Sequence, residues 1–182
     1  MKREYFGELP NLSFDETAVM MPTKLYKQER DWTCAIACIR SILSSMNYTK
    51  TEDEIIEEFQ LTPGPLYSKQ IKNLNILENY ETIYGFEFET KPTLSDFYTL
   101  MKDNYFVMIE SMINFDHWLV ALAYLPNGQD ITANHTILLY DPYFNEVKTY
   151  RAEEFGAMWC SGMHVKNKVT NDFIAVKYQN LT

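Results

Sequence analysis

The sequence predicts a single α+β domain, with helices in the first half and an antiparallel sheet in the second. The first half carries apolar residues at helical spacing, as in Ile36, Ile39 and Leu43, and a capping box at Thr51 and Glu54. The second half changes to short segments that are rich in β-branched and aromatic residues. Because the two kinds of element are segregated along the chain, an α+β layout is favoured over an alternating one.

Four helices are expected in the first half of the chain. The first runs from about Cys34 to Met46, and the second follows the capping box. The third opens at Ser68 after a break at Pro-Gly-Pro and is predicted to reach Leu77 and Glu78. A fourth helix covers Leu94 to Lys102.

Five strands are predicted in the second half, at YFVMIE, HWLVALAY, HTILLYD, NEVKTY and DFIAVKY. The turn formers Pro126, Asn127 and Gly128 separate two of these strands, and Pro142 ends another. The first helix and the sheet are therefore expected to meet along one cleft.

Composition limits the classes of function. The 182 residues are 46% hydrophobic, enough for one well-filled core, and no linker or repeat divides them. A net charge of -9 and the lack of a basic cluster argue against a nucleic-acid partner. The first residues do not resemble a secretory signal, and no segment approaches the roughly 18 apolar residues that cross a bilayer. We expect a cytoplasmic protein that does not bind membranes.

Cysteine and histidine usage argues against disulfides and metals. Three cysteines make a poor disulfide framework, and a bond between Cys34 and Cys38 on one helix would be strained. The three histidines are scattered, with no HExxH motif and no CxxC pair. We therefore expect no metal and no other cofactor.

The segment from Gln28 to Cys38 is the most informative for chemistry. It places Cys34 at the start of a helix, where unpaired N–H groups and the helix dipole stabilise a thiolate nucleophile. The backbone N–H of Cys34 and the side-chain amide of Gln28 are candidates to bind an oxyanion, if the loop between them folds back. A buried structural cysteine is the competing interpretation of Cys34 alone.

A nucleophilic cysteine requires a base, and His117 is the best candidate because it opens a strongly apolar strand. Asp141 closes a later strand just before Pro142 and is the candidate to orient the imidazole. His135 is a rival base, interpreted as a cross-strand or surface residue, and His164 is a weaker one.

Several alternatives remain open at this stage. Asp130 and Asn134 are substitutes for the orienting residue. Cys38 is expected to face the core, and Cys160 fits a buried position equally well. Trp118 either covers the imidazole edge or is a plain core residue.

These residues, in this order, resemble a known family. The chain has Gln28, the run Asp31 to Cys38, His117-Trp118-Leu119-Val120 and then Asp141-Pro142, and is similar in this to the C39-like branch of the papain-like cysteine peptidases. The resemblance covers about residues 24 to 176. It implies a papain-like α+β fold, with Cys34 as nucleophile, His117 as base, Asp141 as the orienting residue and Gln28 in the oxyanion hole. It also implies hydrolysis of a peptide or small amide through a thioester.

The chain departs from that family pattern in two places. Ala35 replaces the glycine that usually follows the nucleophile, and the stretch between His117 and Asp141 is long. Two alternative functions are an acyl or peptidyl transferase that uses the same site and a non-catalytic module that binds an unknown protein partner. Residues 1–23 form an N-terminal extension outside the resemblance, which either packs on the domain or covers the cleft as a lid.

Overall fold

The computed structural model describes residues 16–111, 116–126, 134–159 and 171–177. Its α-helices are α1 (Cys34–Leu43), α2 (Glu52–Glu58), α3 (Ser68–Asn73), α4 (Leu94–Lys102) and α5 (Ala152–Met158). Its strands are β1 (Ala18–Val19), β2 (Glu81–Tyr84), β3 (Phe106–Ser111), β4 (His117–Leu125), β5 (Thr136–Asp141), β6 (Glu146–Arg151) and β7 (Phe173–Lys177). Short 3-10 turns cover Ser44–Met46 and Gly85–Glu87.

The strands form one sheet in the order β2-β7-β3-β4-β5-β6, and all neighbours are antiparallel. β1 pairs with β4 at Ala18 and Tyr124, beyond the point at which β3 leaves β4 at Ala121. β4 therefore lies in the middle of the sheet, and its first residue is at the end where β3 and β5 finish.

Both faces of the sheet are covered by helices. α1 packs on one face through a cluster that contains Ile39, Ile42 and Val120. α4 and α5 cover the other face through a second cluster that contains Phe97 and Phe155. Because β4 is buried on both sides, its sequence is a continuous apolar run rather than an alternating one.

The five predicted strands are confirmed, and so is the capping box that starts α2. The Glu54 N–H donates to Thr51 Oγ1 at 3.2 Å, and the Thr51 N–H donates to Glu54 Oε2 at 2.7 Å. The predicted extension of the third helix to Leu77 and Glu78 is wrong. α3 ends at Asn73 because Asn75 has a φ of 55°, a left-handed conformation that cannot continue a helix.

Three elements were not predicted from the sequence: the short strand β1, the edge strand β2 and the helix α5. β2 pairs with β7 along its whole length and forms an edge of the sheet. α5 begins directly after β6, with Arg151 as its N-cap and no Gly or Pro to mark the boundary. In addition, α4 lies on the face opposite to α1, so the helices of the first half do not form one layer.

The described part of the N-terminal extension packs along the sheet. Ala18 is buried, and the Met20 N–H donates to the Leu122 carbonyl at 2.9 Å. Residues 1–15 lie outside the described residues, as do Asn127 and Gly128 of the predicted turn.

Candidate active site

The start of α1 places Cys34 in a setting that favours negative charge. Thr33 is the N-cap, but its side chain does not cap the helix, because Oγ1 donates to the Arg30 carbonyl at 2.9 Å. The first turn carries no acidic residue. The first backbone N–H groups of α1 are therefore left to stabilise an anion at Cys34, which is 9% exposed.

The strand order brings a histidine and an aspartate to the same end of the sheet. His117 opens β4 and Asp141 closes the antiparallel β5. His117 Nε2 lies 2.8 Å from Asp141 Oδ1, and Cys34 lies close enough to the imidazole to help raise its pKa. Since Nε2 faces Asp141, Nδ1 is the ring nitrogen left for Cys34. Three elements thus contribute one residue each to a continuous chain of contacts.

These contacts shift the ionisation of both side chains. Burial by itself lowers the pKa of His117, but the hydrogen bonds with Asp141 and Cys34, together with their charges, raise it to about 9. Burial by itself raises the pKa of Asp141, but the hydrogen bonds and charges of His117 and Lys148 lower it to about 2. At neutral pH the pair is therefore an imidazolium and a carboxylate.

Several groups fix the carboxylate of Asp141. Oδ1 also accepts hydrogen bonds from the backbone N–H groups of Tyr143 at 3.0 Å and Phe144 at 3.4 Å. Oδ2 accepts one from Lys148 Nζ at 2.9 Å. The Tyr143 ring meets the His117 ring edge-on, with centroids 6.4 Å apart. Sequence reasoning did not identify Lys148 or Tyr143 as neighbours of the site.

Gln28 lies beside this end of the sheet, where its loop is hydrogen-bonded to the residue after Asp141. Its backbone N–H donates to the Pro142 carbonyl at 3.0 Å, which ties the loop to the residue after Asp141. The Gln28 side chain is buried. Nε2 has two N–H groups, and one of them donates a hydrogen bond to the Arg30 carbonyl at 2.8 Å. Oε1 is buried without a hydrogen-bond partner.

Two depressions adjoin the segment that leads into Cys34. One, of about 310 Å³, is lined by Lys27, Gln28, Glu29, Arg30, Asp31 and Tyr143. The other, of about 570 Å³, is lined by Trp32, by residues 59–67 and by Gln70, Asn73 and Leu74. The first is lined largely by charged and polar side chains, whereas the second contains Trp32, Phe59, Leu61, Leu66 and Leu74.

The model of the Peptidase C39 family matches residues 22–169. The chain belongs to that family. Its fold is similar to that of the peptidase domain of Streptococcus ComA, a bifunctional ABC transporter involved in a quorum-sensing pathway, with a TM-score of 0.58. That alignment has 16% sequence identity and covers 86% of this chain and 98% of the domain. No curated protein matches the chain.

Membership of the C39 family confirms the resemblance and the papain-like α+β fold. The matched range includes Gln28, Cys34, His117 and Asp141. The structure brings Cys34, His117 and Asp141 into contact and ties the Gln28 loop to them. Their chemical roles remain predictions.

The rival residues of this C39 family chain lie elsewhere or outside the described residues. His135 is buried, not a surface residue, and its Nδ1 lies 2.8 Å from the hydroxyl of Tyr124, with which it packs edge-on. Asn134 is exposed. Asp130, His164 and Cys160 fall outside the described residues.

Cys38 and Trp118 belong to the core beneath the site. Cys38 is fully buried, as expected, and burial strongly raises the pKa of its thiol. Trp118 is buried in the same cluster, and its Nε1 donates to the Leu66 carbonyl at 2.9 Å. Trp118 thus ties the loop before α3 to the sheet.

Two absences hold for residues 16–111, 116–126, 134–159 and 171–177. Within these ranges, no group of three or more His, Cys, Asp or Glu side chains is arranged to hold a metal ion. No helix there is long and apolar enough to cross a membrane.

A buried carboxyl cluster joins α3 to the sheet next to His117. Ser68 Oγ donates to Asp172, and the hydroxyl of Tyr67 donates to Asp116 Oδ2 at 2.8 Å. Glu110 is 2% exposed, and its Oε1 has no hydrogen-bond partner. Burial, together with the charges of Asp172 and Asp116, raises the pKa of Glu110 to about 8. This cluster could not be predicted from the sequence, because it joins residues from three segments that are far apart along the chain.

Glu110→Gln is expected to stabilise the protein at alkaline pH. The pKa of Glu110 is higher in the folded protein than the ordinary value of 4.5. Its contribution to stability is therefore present below pH 4.5 and is lost as the pH rises through about 8. We expect the variant to exceed the wild type in free energy of unfolding by about 2 kcal/mol at pH 9, and to match it more closely near pH 5. Urea unfolding at both pH values measures this.

The matched control is Glu57→Gln, which removes an exposed carboxylate from α2. It should leave the pH dependence of stability unchanged. A Glu110→Gln variant that is less stable than the wild type at pH 9 contradicts the assignment of Glu110 as a carboxyl group held in an unfavourable site.

Proposed function

We propose that this chain is a cysteine peptidase or amidase that cleaves a peptide or small amide bond through a thioester on Cys34. The observation that carries the proposal is that one imidazole, that of His117, contacts both Cys34 and Asp141. A protonated imidazole beside a sulfur at a helix N-terminus favours the thiolate, which is the nucleophilic form. Membership of the C39 family supports the same conclusion.

The proposed reaction has two steps. In the first, the Cys34 thiolate attacks the carbonyl carbon, and the C–N bond breaks as His117 gives its proton to the departing amine. In the second, neutral His117 takes a proton from water, whose oxygen attacks the thioester, and the C–S bond breaks to release the acid and restore the ion pair. Asp141 holds the imidazole through its other nitrogen in both steps.

The oxyanion of each tetrahedral intermediate needs donors that are already in place. The backbone N–H of Cys34 is one candidate. The side-chain amide of Gln28 is the other candidate. One N–H of its Nε2 donates to the Arg30 carbonyl, and the second N–H is the proposed donor to the oxyanion. The two depressions, one lined in part by Asp31 and the other by Trp32, are the candidate binding sites for the parts of a substrate that flank the cleaved bond.

Two probes test the proposal. p-Nitrophenyl acetate should transfer its acetyl group to Cys34, which peptide mass spectrometry would locate as a thioester. A mixed synthetic peptide library should then yield cleavage products. Cys34→Ala should abolish both, because it removes the proposed nucleophile beside His117.

Cys38→Ala is the matched control, since it removes a thiol one helical turn away that is fully buried in the core. It should keep the acetylation of Cys34. Cleavage that persists in Cys34→Ala would contradict the proposal. Library cleavage replaced by transfer onto an added amine, with no hydrolysis, would favour the acyltransferase instead.

A further inference from the structure

The carboxylate of Asp141 is shared between the imidazole and a lysine. Oδ1 faces His117, and Oδ2 accepts a hydrogen bond from Lys148 Nζ at 2.9 Å. Lys148 Nζ also lies 3.2 Å from Glu146 Oε1 and 4.1 Å from the centre of the Phe144 ring. The side chain of Lys148 is 29% exposed, so the ring and the two carboxylates shield much of it from water.

The register of the last hairpin builds this contact into the sheet. In the β5–β6 pair, Leu139 lies opposite Lys148 and Asp141 lies opposite Glu146. Residues two apart on a strand share a face, and diagonal neighbours across two strands are within reach of a long side chain. The position of Lys148 next to Asp141 therefore follows from strand pairing, whereas an isolated surface ion pair has no such support.

The electrostatic surroundings of the pair come from several elements. The thiol groups of Cys34 and Cys38 face it from α1. The phenols of Tyr140 and Tyr150 face Asp141 from β5 and β6, and Glu146 meets it only through Lys148.

Two further side chains flank the imidazole. The Tyr143 ring meets its edge, and Asp116 precedes His117 with its Oδ2 bonded to Tyr67. Among the ion pairs of the described residues, those of Asp141 are with His117 and Lys148. Lys148 is thus the permanent cation on this carboxylate.

We propose that Lys148 is a positioning residue of this site, which acts through Asp141 to set the pH range over which His117 keeps its proton. Its positive charge offsets part of the negative charge of Asp141 and so weakens the hold of the carboxylate on that proton. The consequence concerns the first step, in which His117 must release the proton to the leaving amine. In this respect the inference rests on the proposed function.

The test is the titration of the His117 imidazole by NMR in a Cys34→Ala background, with and without Lys148→Met. Loss of the cation should raise the pKa of His117 by about half a pH unit or more, because Asp141 then acts uncompensated. Lys148→Arg keeps the charge and should restore the wild-type titration. If the methionine variant folds poorly, Lys148→Gln makes the same comparison with a polar side chain.

Lys72→Met is the matched control. Lys72 pairs with Glu87 and lies 5.4 Å from the centre of the Tyr84 ring, which repeats the surroundings of Lys148 away from the site. It should leave the titration of His117 unchanged. A His117 titration that is unchanged or moves to lower pH in Lys148→Met overturns the proposal.

This readout separates the two proposals. The titration needs no substrate, so a protein without peptidase activity whose His117 titration still shifts would contradict the proposed function and keep the role of Lys148. A protein that cleaves peptides, but whose His117 titration is unchanged by Lys148→Met, would support the proposed function and contradict the role of Lys148. In the active protein, the alkaline limb of the pH profile for hydrolysis should move to higher pH in Lys148→Met.

Discussion

His117→Ala is expected to lower the rate of Cys34 acylation by p-nitrophenyl acetate by about 10³-fold or more. The substitution removes both the imidazolium that stabilises the thiolate and the group that moves the proton. It also removes one of the two ion-pair partners of Asp141 among the described residues and leaves Lys148 as the other. Stopped-flow release of p-nitrophenol, with the acetylated residue identified by mass spectrometry, measures the effect.

His135→Ala is a close control for this variant. His135 is the other buried histidine among the described residues, and it hydrogen bonds with Tyr124. The two variants lose the same side-chain volume from buried positions. Equal losses of acylation in both would show that damage to the fold, and not the loss of a base, explains the result.

Asp141→Asn is expected to lower the hydrolysis of a cleaved library peptide by between about 10² and 10⁴-fold. An amide cannot stabilise the imidazolium by charge, and it leaves the Lys148 ammonium with Glu146 as its carboxylate partner. Steady-state rates at pH 7 test this part of the prediction.

The same variant should change how stability depends on pH. The pKa of His117 is raised to about 9, from an ordinary value of 6.5. Its contribution to stability is therefore present below pH 6.5 and is lost as the pH rises through about 9. We expect the wild type to lose about 2 kcal/mol over that interval and Asp141→Asn to lose much less.

The pH dependence of stability has a second part, at acidic pH. The pKa of Asp141 is lowered to about 2 from 3.8, so its contribution to stability is present above pH 3.8 and is lost as the pH falls through about 2.

The control for Asp141→Asn is Asp96→Asn, because Asp96 is a buried carboxylate that caps α4 far along the chain from the site. It should reduce stability near neutral pH without flattening the change between pH 6.5 and 9 that belongs to His117. A wild-type protein whose stability is flat over that interval contradicts the His117–Asp141 ion pair.

Much of the fold was predictable because local patterns agree with the tertiary structure. The start of α1 at Cys34, the capping box at Thr51 and the five strands follow from apolar period and turn residues. β2 was missed because ETIY is short and follows a series of turns, and its pairing with β7 is a long-range contact. The face that α4 covers depends on how the chain crosses the sheet, which periodicity does not specify.

Part of the candidate site was predictable because few residues in the chain could serve as its nucleophile, base and orienting carboxylate. A cysteine at a helix start, a histidine that opens a strand and an aspartate that closes one gave Cys34, His117 and Asp141, and the family resemblance supplied the roles. Lys148 was missed because a lysine in a strand with an exposed face is usually only solvated. Its contact depends on the register between β5 and β6, which the sequence does not reveal.

The most direct test of the central claim is the pH dependence of Cys34 alkylation by iodoacetamide, read by peptide mass spectrometry in the wild type and in His117→Ala. If Cys34 forms an ion pair with His117, the alkylation rate of the wild type at pH 6 should stay within a few fold of its rate at pH 8. The rate of the variant should fall by roughly 100-fold between pH 8 and pH 6, as expected for an ordinary thiol. A Cys34 that reacts slowly at pH 6 in the wild type, and equally slowly without His117, would contradict the account.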